Sequence, residues 1–313
     1  MNLTASDIQS IRRWIYRNAR PLDLARWQYH FEGGGQEAVL AALAAYQNAD
    51  GGFGNALEPD LWNPNSLPYV TQIAVNIVEE IGFRDGDHPI VRGMLAYLEH
   101  GAGFDGTHWP TIVASTQDYP HAPWWTESAY DWGYTPTAPL AGWVLLYIDV
   151  GAPFYEACRR VVGTAIDTYL FGTMPDGSAY RSVRREGEIK GLARMLGFLE
   201  AVGIAEAYPL AEVRRVLQQQ AARFTEKDPA KWGQYSWRPS TFVRSPESPF
   251  YAGNEAAIEA ELDYLLDRRN AEGVWDITWA WGAYDKAFAV AETWWKANLA
   301  IENLLLLRAF GRV

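Results

Sequence analysis

The stretch that decides the fold is residues 47–54, Gln47-Asn48-Ala49-Asp50-Gly51-Gly52-Phe53-Gly54, which follows an apolar helical segment. Three further segments share its plan: FDGTHW at 104–109, PDGSAY at 175–180 and NAEGVW at 270–275. An acidic residue followed by glycine ends a helix, because glycine readily adopts the left-handed conformation, and the next aromatic can fold back onto the helices. The first three copies lie roughly 55 to 70 residues apart, the span of a helical hairpin with its loops. The first and last copies are clear and the middle ones looser, and together they predict repeated helical hairpins.

Apolar residues recur with a 3.6-residue period in the segments between these turns. The predicted helices cover 37–47, 67–81, 88–100, 136–149, 153–171, 187–202, 210–224, 254–269 and 285–310. Residues 299–310 are apolar on nearly every side, which is typical of a buried helix and indicates an inner layer of helices inside an outer one. A short hairpin is predicted at 234–243. The predicted fold is therefore all-α, an α/α toroid of inner helices wrapped by outer helices, in one domain spanning residues 1–313.

The motif at 47–54 is followed by Glu58-Pro59-Asp60 and by an apolar helix that carries Thr71. This arrangement resembles the repeat of terpenoid cyclases and protein prenyltransferases, and 270–275 followed by 293–304 resembles a second copy. The resemblance implies the α/α-toroid fold of that superfamily. The segments 20–27 and 60–66 resemble, more closely, bacterial proteins of the same superfamily to which no activity is attached.

The chain also departs from that superfamily. Class II terpenoid cyclases use an Asp-x-Asp-Asp acid, and the nearest run here, Asp85-Gly86-Asp87-His88, lacks the final aspartate. Cys158 is preceded by Ala157 and Glu156, so the Asp-x-Cys part of the prenyltransferase zinc site is missing. The Asp-Asp-x-x-Asp diphosphate motif is missing as well. The resemblance thus implies the α/α-toroid fold, but neither the acid chemistry of the class II cyclases nor the zinc chemistry of the prenyltransferases.

The charge, the apolar runs and the cysteine and aromatic content of the chain indicate which classes of partner and site to expect. The 313 residues carry 27 lysines and arginines against 38 aspartates and glutamates, a net charge of −11 that disfavours a nucleic-acid partner. We find no apolar run of transmembrane length, no signal-peptide pattern and one cysteine, which favours a cytoplasmic protein without a disulfide framework. No spacing of histidines and acidic residues supports a metal site, and no cofactor motif is found. The 15 tryptophans and 17 tyrosines indicate an aromatic-lined surface or cavity.

Three loops concentrate the residues that could carry chemistry. The first, 55–66, offers Glu58 and Asp60 as catalytic carboxylates, and the second, 110–136, offers Glu127 and Asp131. The third loop spans 275–284. Candidate substrate-binding aromatics in the three loops are Trp62, Trp124, Trp125, Tyr130, Trp132, Tyr134, Trp275, Trp279 and Trp281. Helix capping and packing between hairpins are the alternative roles for these residues.

Three functions are compatible with this pattern. The first is an enzyme of the terpenoid-cyclase-like toroid class, in which aromatic faces stabilise a cation formed from an isoprenoid-type substrate, with Asp60 and Asp131 as acids and Glu58 and Glu127 as partners. The second is a carbohydrate-active toroid, a glycoside hydrolase or lyase that uses paired carboxylates and aromatic platforms. The third is a binding protein without catalysis. The expected partner is a small molecule, isoprenoid or carbohydrate.

Overall fold

The computed structural model describes residues 2–126, 133–174, 177–180 and 185–313. Within these ranges the chain is all-helical, with eleven α-helices, no strands and three isolated β-bridges. The helices are α1 (Ala5–Asn18), α2 (Pro21–Phe31), α3 (Gln36–Ala44), α4 (Pro68–Glu80), α5 (Pro89–Ala96), α6 (Thr137–Val144), α7 (Pro153–Phe171), α8 (Arg185–Val202), α9 (Leu210–Phe224), α10 (Glu255–Asp267) and α11 (Asp285–Ala309). The all-α prediction is thus confirmed. The hairpin predicted at 234–243 is wrong, because this segment contains a 3₁₀ turn, Pro239–Thr241, between irregular stretches.

Two helices were not predicted from the sequence. α1 and α2 occupy the first 31 residues, and proline at the first position of α2 suits a site where no backbone N–H is required. A capping box begins α1: Thr4 Oγ1 accepts a hydrogen bond from the Asp7 amide at 3.2 Å, and Asp7 Oδ2 accepts one from the Thr4 amide at 2.8 Å.

The chain divides into two compact units. The first comprises Met1–Leu43 and Ala221–Val313. In it α11 packs against α1 and α2, and α11 has no exposed residue between Ala300 and Leu307. The buried helix predicted near the C-terminus is therefore confirmed over this stretch.

The second unit is Ala44–Gln220, and its core is built around α6. All eight residues of α6 are buried, and the helix packs against α4, α7 and α8. Its sequence, TAPLAGWV, carries no charge on any side, so burial on all faces is the state that removes the most apolar surface from water.

Three of the four repeated turns share one pair of backbone hydrogen bonds. In the first copy the Asn48 amide donates to the Gly52 carbonyl at 2.8 Å, and the Gly51 amide donates to the Asn48 carbonyl at 2.9 Å. The same pair of hydrogen bonds recurs at Asn270 with distances of 2.7 and 2.9 Å, and at Met174 with distances of 2.8 and 2.9 Å. The third copy, looser in sequence, therefore shares this pair of hydrogen bonds with the first and last. In the second copy the amide of Asp105 instead reaches the carbonyl of His108 at 3.3 Å.

The first turn is anchored to its neighbours by its polar side chains. Gln47 Nε2 donates to the carbonyls of Gly51, at 2.9 Å, and of Ile90 in α5, at 3.1 Å. Ser66 Oγ donates to Asp50 Oδ1 at 2.7 Å. Phe53 is fully buried, as expected for an aromatic residue that folds back onto the helices. These contacts give the 47–54 motif a structural role.

Candidate functional site

The first two predicted loops lie against each other in the second unit. A single antiparallel bridge pairs Leu61 with His121. On either side of it the Trp62 amide donates to the Pro120 carbonyl at 3.0 Å, and the Ala122 amide donates to the Asp60 carbonyl at 2.9 Å. Two segments about 60 residues apart in sequence thus form one surface, here called the joined loops (residues 55–66 and 110–126).

Asp60 and Trp62 flank the bridged residue Leu61 in the sequence. Asp60 lies in the turn 58–61, which the Leu61 amide closes by donating to the Glu58 carbonyl at 3.0 Å. The Trp62 indole N–H donates to the Pro59 carbonyl at 2.8 Å, which fixes the orientation of a ring that is only half-buried. A buried carboxylate and an oriented aromatic residue therefore lie two positions apart in the joined loops.

Both carboxylates of the first loop are withdrawn from solvent. Glu58 is 5 % exposed and Asp60 is 3 % exposed. Glu58 Oε1 accepts a long hydrogen bond of 3.4 Å from the Asp60 amide, so the two side chains are held in one short turn. Burial of two acidic groups is costly and is found where they are paired or take part in chemistry.

His121 and Asn63 stabilise this surface. His121 Nδ1 lies 2.7 Å from the Tyr119 carbonyl, which can only accept, so Nδ1 carries the proton. Asn63 Nδ2 donates to Ser115 Oγ at 2.9 Å and crosses from one loop to the other. Within the described ranges, no three histidine, cysteine, aspartate or glutamate side chains are placed to hold a metal ion.

The described aromatic candidates of the second loop are placed in different surroundings. Trp124 is half-buried, whereas Trp125 is buried and meets Tyr69 edge to face with ring centroids 4.6 Å apart. Tyr134 is also buried, and its hydroxyl lies 3.1 Å from Thr168 Oγ1. Burial raises the pKa of Tyr134, and the negative charge of Glu188 raises it further. The remaining candidates Glu127, Tyr130, Asp131 and Trp132 lie outside the described residues.

The third predicted loop belongs to the first unit. Trp275 and Trp281 are buried, and the Trp275 indole N–H donates to the Leu265 carbonyl at the end of α10, at 2.8 Å. Trp279 is half-buried and meets Tyr235 and Trp295 edge to face, with centroids 6.3 and 5.3 Å away. Trp279 thus keeps ring surface accessible, and Trp275 serves the packing of α10.

A buried charged group in α2 was missed at the sequence level. Asp23 is fully buried, and its carboxylate accepts from Arg20 Nε at 2.7 Å and from Arg26 Nη1 at 3.3 Å. Arg26 Nη1 also donates to Asn298 Oδ1 in α11 at 2.6 Å, and the Arg20 guanidinium lies 5.3 Å from the Trp294 ring centroid. The signal available was the spacing of Arg20, Asp23 and Arg26 at every third position around the start of α2.

Cys158 is fully buried in α7, and burial raises the pKa of its thiol to about 12. A thiol that stays protonated at neutral pH is a poor nucleophile, so the structure gives Cys158 a packing role.

No protein-family model, curated protein or solved structure matches the chain. The helices in the described ranges include none with the length and apolar content needed to cross a bilayer.

Proposed function

We propose that the protein is an enzyme that performs acid–base chemistry on a carbohydrate, in the manner of a glycoside hydrolase or lyase, with its centre at Asp60. The observation that carries the proposal is the presence, two residues apart in the joined loops, of Asp60, a buried carboxylate, and Trp62, an oriented and half-buried indole. Sugar rings stack their C–H faces on aromatic rings, and cleavage of the glycosidic bond requires carboxyl groups beside that platform.

Glu58 is the second carboxyl group of this centre. It is buried and tied to the backbone of Asp60, so its position follows that of Asp60. In carbohydrate cleavage one carboxylic acid protonates the leaving oxygen, while the other carboxylate acts as base or nucleophile. We assign these two roles to the pair Glu58 and Asp60. In the same proposal the helices form an α/α toroid in a single domain.

A second candidate is the transformation of an isoprenoid-type substrate in an aromatic cavity, as expected for a terpenoid-cyclase-like toroid. It is favoured by the edge-to-face cluster of Tyr235, Trp279 and Trp295, whose rings stay partly exposed. We rank it second because Trp125, Tyr134, Trp275 and Trp281 are buried, so much of the aromatic content of the loops is used in packing.

The test is turnover of a panel of glucans, xylan and polyuronates, read as reducing ends and as the ultraviolet absorbance of unsaturated products. We expect Asp60→Asn and Glu58→Gln to lower kcat by about 10²- to 10⁴-fold, the usual contribution of a general acid or base. The control is Asp118→Asn, an exposed carboxylate on the same joined loops, which should retain full turnover. Unchanged turnover in both Asp60→Asn and Glu58→Gln would refute the assignment. Turnover of an isoprenyl diphosphate alone would establish the second candidate in its place.

A further inference from the structure

A loop of the first unit, between α10 and α11, places charged and aromatic residues against one side of α11. In this loop Asp276 Oδ1 lies 3.0 Å from Lys296 Nζ, and the ring centroid of Trp279 lies 5.3 Å from that of Trp295. Glu292 precedes Trp295 and Lys296 by three and four positions, so it neighbours both on the helix surface. The charged contact and the aromatic contact therefore lie next to each other on one surface.

The charged residues of this surface carry a net negative charge. Lys296 Nζ also lies 2.9 Å from Glu292 Oε1, and Asn270 Nδ2 donates to Asp276 Oδ1 at 2.9 Å. Burial opposes the charge of Lys296, but its hydrogen bonds to Glu292 and Asp276 outweigh burial and raise its pKa, so it stays an ammonium at neutral pH. Two carboxylates around one ammonium leave a net charge of −1. The Asp276 side chain is 58 % exposed, so this charge acts on molecules in the solvent.

The aromatic residues of the same surface form a corner rather than a flat platform. The Trp279 ring is inclined at 81° to the Trp295 ring and at 88° to the Tyr235 ring, whose centroid is 6.3 Å away. Tyr235 is 55 % exposed and both tryptophans are half-buried, so ring surface is open to solvent. A flat sugar ring can stack on only one of two perpendicular rings, whereas a rounded group can contact both.

We propose that this surface binds a small molecule with an alkylated ammonium group, such as a quaternary ammonium ion. A cation with an apolar outer surface is attracted by the faces of the aromatic rings and by the net negative charge beside them. Its rounded shape suits the corner that the perpendicular rings make. The surface belongs to the first unit and needs nothing from Asp60 in the second, so the inference goes beyond the proposed function. We call it the ammonium site; its residues are Tyr235, Asp276, Trp279, Glu292, Trp295 and Lys296.

Charge variants separate a cation from a neutral ligand, because the two respond in opposite directions to the loss of Lys296. Lys296→Met makes the site more negative by one charge and should raise the affinity for choline by about 3- to 10-fold at low salt. A sugar would lose a hydrogen-bond donor and bind more weakly. Asp276→Asn should lower the choline affinity by a similar factor. The control is Lys190→Met, which changes the total charge equally in the second unit and should bind choline like wild type.

Aromatic variants test the ring faces. Trp279→Leu keeps an apolar side chain but removes the ring that meets both neighbours, and should lower the choline affinity by about 3- to 30-fold. Trp279→Phe restores an aromatic face and should recover most of the affinity. Tyr235→Leu changes an exposed position, where the fold tolerates substitution, and should also weaken binding. The control is Phe171→Leu, which removes an exposed ring of the second unit and should bind choline like wild type.

The experiment titrates the full chain with choline and with its uncharged carbon isostere, dimethylbutanol, and follows the methyl proton resonance of each ligand. We expect choline to bind at least about fivefold more tightly than the isostere, because only choline carries the charge. Equal affinity for the two, or no binding of choline, would overturn the ammonium site. A fall in choline affinity in Lys296→Met would overturn it as well.

Two further probes define the ligand. Cellobiose that binds more tightly than choline, and loses affinity in Trp279→Leu, would overturn the ammonium site and give this surface to a sugar. Vesicles of phosphatidylcholine carry the same ammonium group on a membrane surface. We expect free choline to bind and the vesicles not to sediment the protein. Sedimentation that Trp279→Leu abolishes would overturn a free small molecule as the ligand and assign the surface to a lipid head group.

Discussion

The close approach of the first repeat turn to α5 predicts a large difference between two glycine substitutions. A β-carbon on Gly51 would lie 2.1 Å from the Gly93 carbonyl oxygen, against 3.4 Å or more for an ordinary contact. The backbone of the turn or of α5 must then move by more than 1 Å. Gly106 in the second copy is the matched control, because its φ is +94° against +89° for Gly51 and its β-carbon would meet nothing within 4 Å.

The two energies can be separated. An alanine in the left-handed region costs about 1–2 kcal/mol, and both variants bear this strain. Forcing a methyl group into a filled space adds about 1–3 kcal/mol, and only Gly51→Ala bears that cost. We therefore expect Gly106→Ala to lower the free energy of unfolding by about 1–2 kcal/mol and Gly51→Ala by about 2–5 kcal/mol.

Denaturant unfolding followed by circular dichroism measures both values. The reasoning is refuted if the two variants lose the same stability within about 0.5 kcal/mol, since the backbone contact would then have no energetic weight. A larger loss for Gly106→Ala than for Gly51→Ala would refute it equally.

Three further predictions concern single side chains. Gln47→Ala removes two hydrogen bonds that join the turn to itself and to Ile90, and should lower the free energy of unfolding by about 1–3 kcal/mol in the same assay. The pKa of Asp7 falls from 3.8 to about 2, mainly through hydrogen bonds from Thr4. Because the pKa of Asp7 is depressed in the fold, the stabilisation that its carboxylate provides is present above pH 3.8 and is lost as pH falls to about 2. The difference in the free energy of unfolding between wild type and Asp7→Asn should therefore close over that range and persist at neutral pH. Cys158 should resist iodoacetamide at pH 8 until the protein unfolds, and rapid alkylation of the native protein would contradict its burial.

The apolar periodicity of the sequence predicted the helices that have a regular apolar face. It did not predict α2, whose buried face carries charged residues. α4 and α11 follow their predicted bounds within a residue or two, because their apolar positions recur every three to four residues. The buried face at the start of α2 includes Asp23 and Arg26, together with Arg20, which immediately precedes the helix. Their burial depends on each other and on Asn298 in α11, which local sequence does not reveal.

The candidate site was partly accessible to the same reasoning. The sequence marked Glu58, Asp60 and Trp62 as candidates in one loop. In the structure the two carboxylates are buried, and a hydrogen bond orients the Trp62 ring. The sequence could not predict the pairing of residues 60–62 with residues 120–122. A single bridge between two distant irregular segments leaves no periodic pattern in the sequence.

The turns at Asn48, Met174 and Asn270 suggest how the chain was assembled. They share their hydrogen-bond pair and a glycine at the fourth position, yet Met174 has no chemical likeness to the two asparagines. If the hairpins descend from one duplicated unit, the side chain at the first position has diverged while the glycine conformation has persisted, with φ of +89°, +85° and +88° at Gly51, Gly177 and Gly273. Repeated units in this chain are therefore best detected by comparing backbone torsion angles, because the backbone shows three clear copies of the turn and the amino-acid sequence shows two.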